Sequence, residues 1–451
     1  MADVVVADLV VRNGLVITPE GVVQTDFGVS DGVITAVGEG LAGQREVDAT
    51  GLHIFPGLID AHVHFNEPGR TQWEGFASGS AALAAGGGTL FLEMPLNADP
   101  PLLTPAEFDT KRAAAEKHSL TDFALWGGLT PDNLGEMAAL AACGVVGFKA
   151  FMSDSGIGEF RAVDDFTLFE GMARAADLGL PVAVHAESEV LTKGLSAKIQ
   201  AAGGRSAADY LASRPPVAEW EAVQKALLFA ETTGADLHVV HVSTARGVQL
   251  VREAAARGVR ATCETCPHYL FFNDADLLRR GADLKCAPPL RPESERLALL
   301  GVLEHLDLIA SDHSPAPPDL KTSDDFFRVW GGISGVQATL GVLLSLGVSP
   351  ERVAALTAEN PAKRFGLRGK GRLEPGYDAD FSLVDLSAST TLDETTLLTR
   401  YKQGAYTGTT LTGRVRATYG RGRLLTQNGQ IVGQVVGEAS GRLVTPERTL
   451  R

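Results

Sequence analysis

Between residues 59 and 312 the chain alternates short apolar runs of strand length with stretches of helical spacing, and eight such runs can be counted. They are Ile59–His64, Thr89–Met94, Asp122–Trp126, Val145–Phe151, Pro181–Ala186, Leu237–Val242, Arg260–Thr265 and Asp307–Asp312. Alanine-rich helical segments separate most pairs, among them Phe166–Leu178, Ala245–Arg257 and Ser294–Leu306. This alternation marks βα units around a parallel sheet. Eight of them close into a TIM-type (β/α)8 barrel, an α/β fold whose chemistry sits at the C-terminal ends of its strands. Ala85-Gly86-Gly87-Gly88 lacks both the dinucleotide and the phosphate-loop fingerprints, and reads as a helix end before the second strand.

The chain ends have a different texture. Asp8–Arg12, Leu15–Thr18 and Val33–Val37 are short strands punctuated by Asn13-Gly14 and Asp31-Gly32. Similar runs return at Asp380–Val384, Arg414–Tyr419 and Arg423–Leu425, with Asn428-Gly429 as a hairpin turn. A chain of 451 residues, 45% apolar, exceeds one compact core. The expected division is a barrel over 56–370, with 1–55 and 371–451 joining in one small β-sandwich.

A formal charge of −15 disfavours nucleic-acid and anionic-membrane partners, which require clustered Lys and Arg. A small-molecule substrate fits better. Cys143, Cys263, Cys266 and Cys286 are too scattered for a disulfide framework and read as reduced thiols. The N-terminus has no basic leader and no apolar run approaches the roughly 18 residues of a membrane span, so a soluble cytoplasmic protein is expected.

The first barrel strand ends Asp60-Ala61-His62-Val63-His64, and the strand period of two puts both imidazoles on one face. One buried histidine is commonly a satisfied core residue; two at this spacing on a barrel mouth suggest one metal. His185 and His241 end the fifth and sixth runs and bring further imidazoles to the rim. His238, three residues before His241, falls on the opposite strand face and reads as helix-side packing. Asp312 ends the eighth run and adds a carboxylate, completing a donor set suited to zinc-like metals. Lys149 lies in the apolar run Val145–Phe151, where an unpaired ammonium is costly. Burial and nearby dications favour its neutral amine, which can add carbon dioxide to form a carbamate. Cys263 and Cys266 have C-x2-C spacing, but no second pair exists and a strand would point them to opposite faces.

This pattern resembles the cyclic-amidohydrolase branch of the amidohydrolase superfamily over nearly the whole chain. The resemblance implies that His62, His64, carboxylated Lys149, His185, His241 and Asp312 hold two divalent metals, zinc first, with manganese, cobalt or iron as alternatives. Dihydroorotases carry Arg two residues after the second histidine, where this chain has Asn66. Hydantoinases and dihydropyrimidinases carry Tyr shortly after the lysine, where Phe151-Met152-Ser153-Asp154 follows here. Asn66–Thr71, Met94–Pro101 and Trp330–Gly335 look like allantoinase segments, although Ser153 stands where many allantoinases have Cys.

The resemblance therefore implies metal-assisted ring opening of a cyclic amide, allantoin to allantoate, with Asp312 moving the proton. Asn66, Asn97, Ser153, Cys286 and Ser314 are the candidate substrate contacts. Dihydroorotase and hydantoinase are the enzymatic alternatives, and a silent scaffold paralogue the non-enzymatic one. A homo-oligomer, a tetramer by resemblance, is expected.

Overall fold

The computed structural model describes residues 6–432 and 439–447. All eight expected barrel strands form, numbered here β1 (Leu58–Val63), β2 (Gly88–Glu93), β3 (Asp122–Leu125), β4 (Phe148–Phe151), β5 (Pro181–His185), β6 (Asp236–Val239), β7 (Ala261–Thr265) and β8 (Leu308–Ile309). Every neighbouring pair among these is parallel, from β1 to β3 and from β4 to β8. The two arcs are stitched by Val146 N donating to Leu125 O at 2.9 Å and Gly127 N donating to Gly147 O at 3.0 Å. His64 N donates to His313 O at 2.8 Å and closes the ring between the chain beyond β8 and the chain beyond β1.

Alternation divides the apolar side chains into two layers. Ile59, Leu90, Leu92, Ala124, Ala183 and Leu308 share one cluster with Trp126 and Phe365, and residues from so many strands meet only inside the barrel. Phe91, Phe123, Phe148, Val182, Val184, Leu237 and Val239 pack outward with the helices. The helix Phe76–Ala85 is capped at Gly86, and β2 begins at Gly88, so the glycine run is a helix end as expected.

Strands from both chain ends build one nine-stranded sheet. The join is His53–Pro56 against Phe381–Thr391, with Ile54 opposite Leu383 and Pro56 opposite Phe381. Asp31-Gly32 and Asn428-Gly429 make tight turns with positive φ at both residues. Asn13-Gly14 does not turn the chain. Val6–Thr18 is one continuous strand with a register shift between Val11 and Gly14, because Asn13 at φ 61° absorbs an extra residue as a bulge.

Sheet and barrel are tied beneath β3. The Lys370 ammonium is 2.7 Å from carboxylate oxygens of Asp122, Asp378 and Asp380. Arg421 pairs with the other oxygen of Asp122. Burial pushes Asp122 up, but Lys370 and Arg421 outweigh it and hold the carboxyl below its ordinary value. The three acids stand close enough to hold a cation, and the cation is Lys370.

Candidate metal centre

His62 and His64 stand at the end of β1 with their tautomers fixed from behind. His62 Nδ1 lies 2.7 Å from Glu264 Oε1, and His64 Nδ1 lies 2.8 Å from Leu96 O. A backbone carbonyl can only accept, so His64 carries its proton on Nδ1 and leaves its Nε2 lone pair free. Donation from His62 Nδ1 to Glu264 does the same for His62. Both Nε2 atoms then point at Asp312 Oδ1, at 3.2 and 3.3 Å. Lone pairs facing a carboxylate oxygen repel unless a cation lies among them, and His62, His64 and Asp312 form a group able to hold one.

A second pair faces the same centre. His185 Nδ1 is 3.0 Å from His241 Nε2, while His185 Nε2 is 3.0 Å from Glu187 Oε2. His241 Nδ1 is buried with no hydrogen-bond partner among the described residues. The His62 and His241 rings are 5.5 Å apart, so the two pairs are neighbours. Burial lowers His62 and His241 well below the ordinary imidazole value and lowers His185 as well, leaving neutral rings with lone pairs to share.

Lys149 is fully buried on β4, and its Nζ has no hydrogen-bond partner among the described residues. The amine lies 5.2 Å from the ring centre of Phe151, which stacks on His185 at 4.6 Å. Burial pulls its pKa down to about 8 against the opposing pull of Asp312 and Glu264, so a sizeable neutral fraction exists near physiological pH.

His238 is not on the helix side. It is level with Ala183 on β5 and Thr262 on β7, and it faces the barrel interior against Phe365 at 5.6 Å. Counting by twos from His241 fails because β6 ends at Val239 and His241 sits at φ 40°, in the left-handed region. Asn66 at φ 65° and Asp312 at φ 46° bend the chain in the same way beyond β1 and β8.

Three of the candidate substrate residues come together. Asn97 Nδ2 donates to Ser314 Oγ at 3.5 Å, and Asn66 Nδ2 donates to Pro315 O at 3.4 Å, so the segments after β1, β2 and β8 meet over the mouth. Asn66 Oδ1 and Ser153 Oγ are buried without hydrogen-bond partners among the described residues. Cys286 is buried, its carbonyl accepts from Tyr210 at 2.9 Å, and burial, with Asp312 adding to the effect, pushes its thiol up to about 12. Trp330, in the segment after β8, packs at 4.7 Å on Trp73 from the segment after β1.

Two carboxylates escaped the reading by motif. Glu187 joins His185 to Arg214. Glu264 joins His62 to His238. Each carried a usable signal: Glu187 is two residues past His185, and Glu264 is an acid inside one of the barrel strands, β7.

A model of the amidohydrolase family matches residues 53–425. The chain belongs to the amidohydrolase family. This amidohydrolase is 52% identical over 448 residues to an allantoinase of Deinococcus radiodurans, an alignment spanning 97% of this chain and 99% of that protein. It is 52% identical to an allantoinase of Rubrobacter xylanophilus, over 98% of each chain. Among solved structures it superposes on the L-hydantoinase of Arthrobacter aurescens with a TM-score of 0.94 at 34% identity, covering 97% of this chain and 100% of the other. Among the described residues of this amidohydrolase, no helix is long and apolar enough to cross a membrane.

Proposed function

We propose that this amidohydrolase opens the ring of allantoin to give allantoate, at a centre of two divalent ions held by His62, His64, Lys149, His185, His241 and Asp312. The observation that carries the substrate is the end-to-end similarity to allantoinases at 52% identity. The nitrogens of His62 and His64 at Asp312, with the His185–His241 pair beside them, support the cations. Zinc is the first choice, since neutral imidazoles and carboxylates suit it, with manganese, cobalt and iron behind it. Bound divalent ions supply Lewis acidity that makes hydroxide available at neutral pH.

The chain's own residues do the rest. Carbon dioxide adds to the neutral Lys149 amine, giving an anionic oxygen donor where the bare side chain has no partner. Asp312 accepts the proton of the attacking water and hands it to the departing ring nitrogen. Asn66, Asn97 and Ser314, joined over the mouth, orient the ureido groups, and Ser153 and Cys286 offer further contacts. The unit over 56–370 holds the chemistry, 1–55 and 371–451 serve it as a support, and the working form is a cytoplasmic homotetramer.

Hydantoin hydrolysis is the second reading, favoured by the fold match to the L-hydantoinase. Turnover of allantoin, hydantoin and dihydroorotate by the purified, metal-loaded protein decides among them. The expected result is a kcat/KM for allantoin at least about a hundredfold above the others, the discrimination available to a site that pairs with substrate polar groups. Faster turnover of hydantoin would replace the proposal with the second reading.

A further inference from the structure

We propose that Thr262, His238 and Glu264 form a directed hydrogen-bond chain that holds His62 in the one tautomer able to bind a cation; the inference rests on reading His62 as a metal ligand. The chain crosses the barrel interior. Thr262 and Glu264 are two residues apart on β7 and so share its inward face, and Thr262 is in register with His238 on β6. His238, Glu264 and His62 are each no more than 1% exposed, so their hydrogen-bonding groups must be satisfied by one another.

The direction of each bond follows from the one before it. The Thr262 hydroxyl has one proton and two acceptors in reach, His238 Nδ1 at 2.8 Å and Leu237 O at 3.4 Å. The shorter contact places that proton on the bond to His238. With Nδ1 accepting, the neutral His238 ring carries its proton on Nε2 and donates to Glu264 Oε2 at 3.0 Å. The other Glu264 oxygen accepts from His62 Nδ1 at 2.7 Å. The lone pair of His62 is thereby left on Nε2, the atom that faces Asp312 at 3.2 Å. His64 needs no such chain, because the Leu96 carbonyl that meets its Nδ1 cannot donate. The opposite face of the mouth has a shorter counterpart in Arg214, Glu187 and His185. These are positioning residues. They touch neither substrate nor reacting atoms, and their effect is read at the metal.

The test is zinc affinity by chelator competition, together with the visible absorption of the cobalt-loaded protein, in Thr262→Val, Thr262→Ser, His238→Phe, Glu264→Gln and His62→Ala. Thr262→Val removes the donor that sets the chain's direction while keeping its shape. It should weaken zinc binding roughly tenfold and alter the cobalt spectrum, and Glu264→Gln should weaken binding by about 10- to 100-fold. Thr262→Ser should bind and absorb as the parent does, since it keeps the hydroxyl. If Glu264→Gln does not fold, the Thr262 pair still decides. Unchanged affinity and spectrum in Thr262→Val and His238→Phe, with metal lost in His62→Ala, would overturn the chain and leave the metal centre standing. Full metal content in His62→Ala would overturn the metal centre and the chain with it.

Discussion

Lys149 is the side chain whose surroundings least suit a structural lysine. A buried ammonium with no acceptor is a heavy penalty, and the neutral amine escapes it. Metal-free protein in degassed buffer should regain turnover slowly with zinc alone and faster with zinc plus bicarbonate, because the carbamate requires both. Lys149→Arg should be inactive and bind less than the full complement of metal, since guanidinium stays cationic. An arginine variant with parent turnover and two metals would remove the carbamate. Asp312→Asn should retain the fold and lose roughly a hundredfold in kcat, the usual worth of a positioned acid-base group, in a steady-state assay. Lys149 stood out in the chain alone because a lysine inside an apolar run has no comfortable structural place, and Asp312 because a barrel puts its chemistry where its strands end. Glu264 gave a weaker signal, an acid inside a strand run, whose meaning shows only once its partners across the barrel, His62 and His238, are known.

At the scale of the elements, the chemistry comes from where strands stop. β8 is two residues long and β6 ends before His241, so the segments that leave them, rather than the strands, aim His241 and Asp312. Apolar runs mark strands well but do not show where the ladder gives way to a bend, and for that reason His238 fell on the wrong face in the sequence reading. The segments after β1 and β2 depend on a glycine where they touch. Gly69 sits at φ 81°, and a Cβ there would lie 1.9 Å from the carbonyl oxygen of Asp99. Gly69→Ala should force the two segments apart, at a backbone cost of at least about 1–2 kcal/mol in chemical denaturation. It should also raise KM, since Asn66 and Asn97 ride on those segments. An alanine variant with parent KM and stability would show that the contact yields freely.

For the molecule as a whole, the barrel was legible in the eightfold alternation and the union of the chain ends in their shared strand texture, whereas the register of that union was not, because pairing between residues more than three hundred positions apart leaves no local trace. Lys370 is the knot between the two. Lys370→Met would leave Asp122, Asp378 and Asp380 facing one another, and should cost roughly 3–5 kcal/mol in guanidinium unfolding. Burial lowers the Lys370 ammonium, but its three carboxylates raise it above the ordinary lysine value, so its contribution is complete below the unfolded lysine pKa and is lost only as pH climbs through the folded one. Stability from this knot should therefore hold flat across neutral pH. Asn66, His241 and Asp312, three residues of the site, are held at positive φ, a backbone that L-residues adopt at about 1–2 kcal/mol each. Glycine would carry the same backbone without that cost, so the strain belongs to the site rather than to the fold. A lineage freed from the reaction should drift toward glycine there, and Asp312→Gly, though inert, should in its metal-free form withstand denaturant at least as well as the parent.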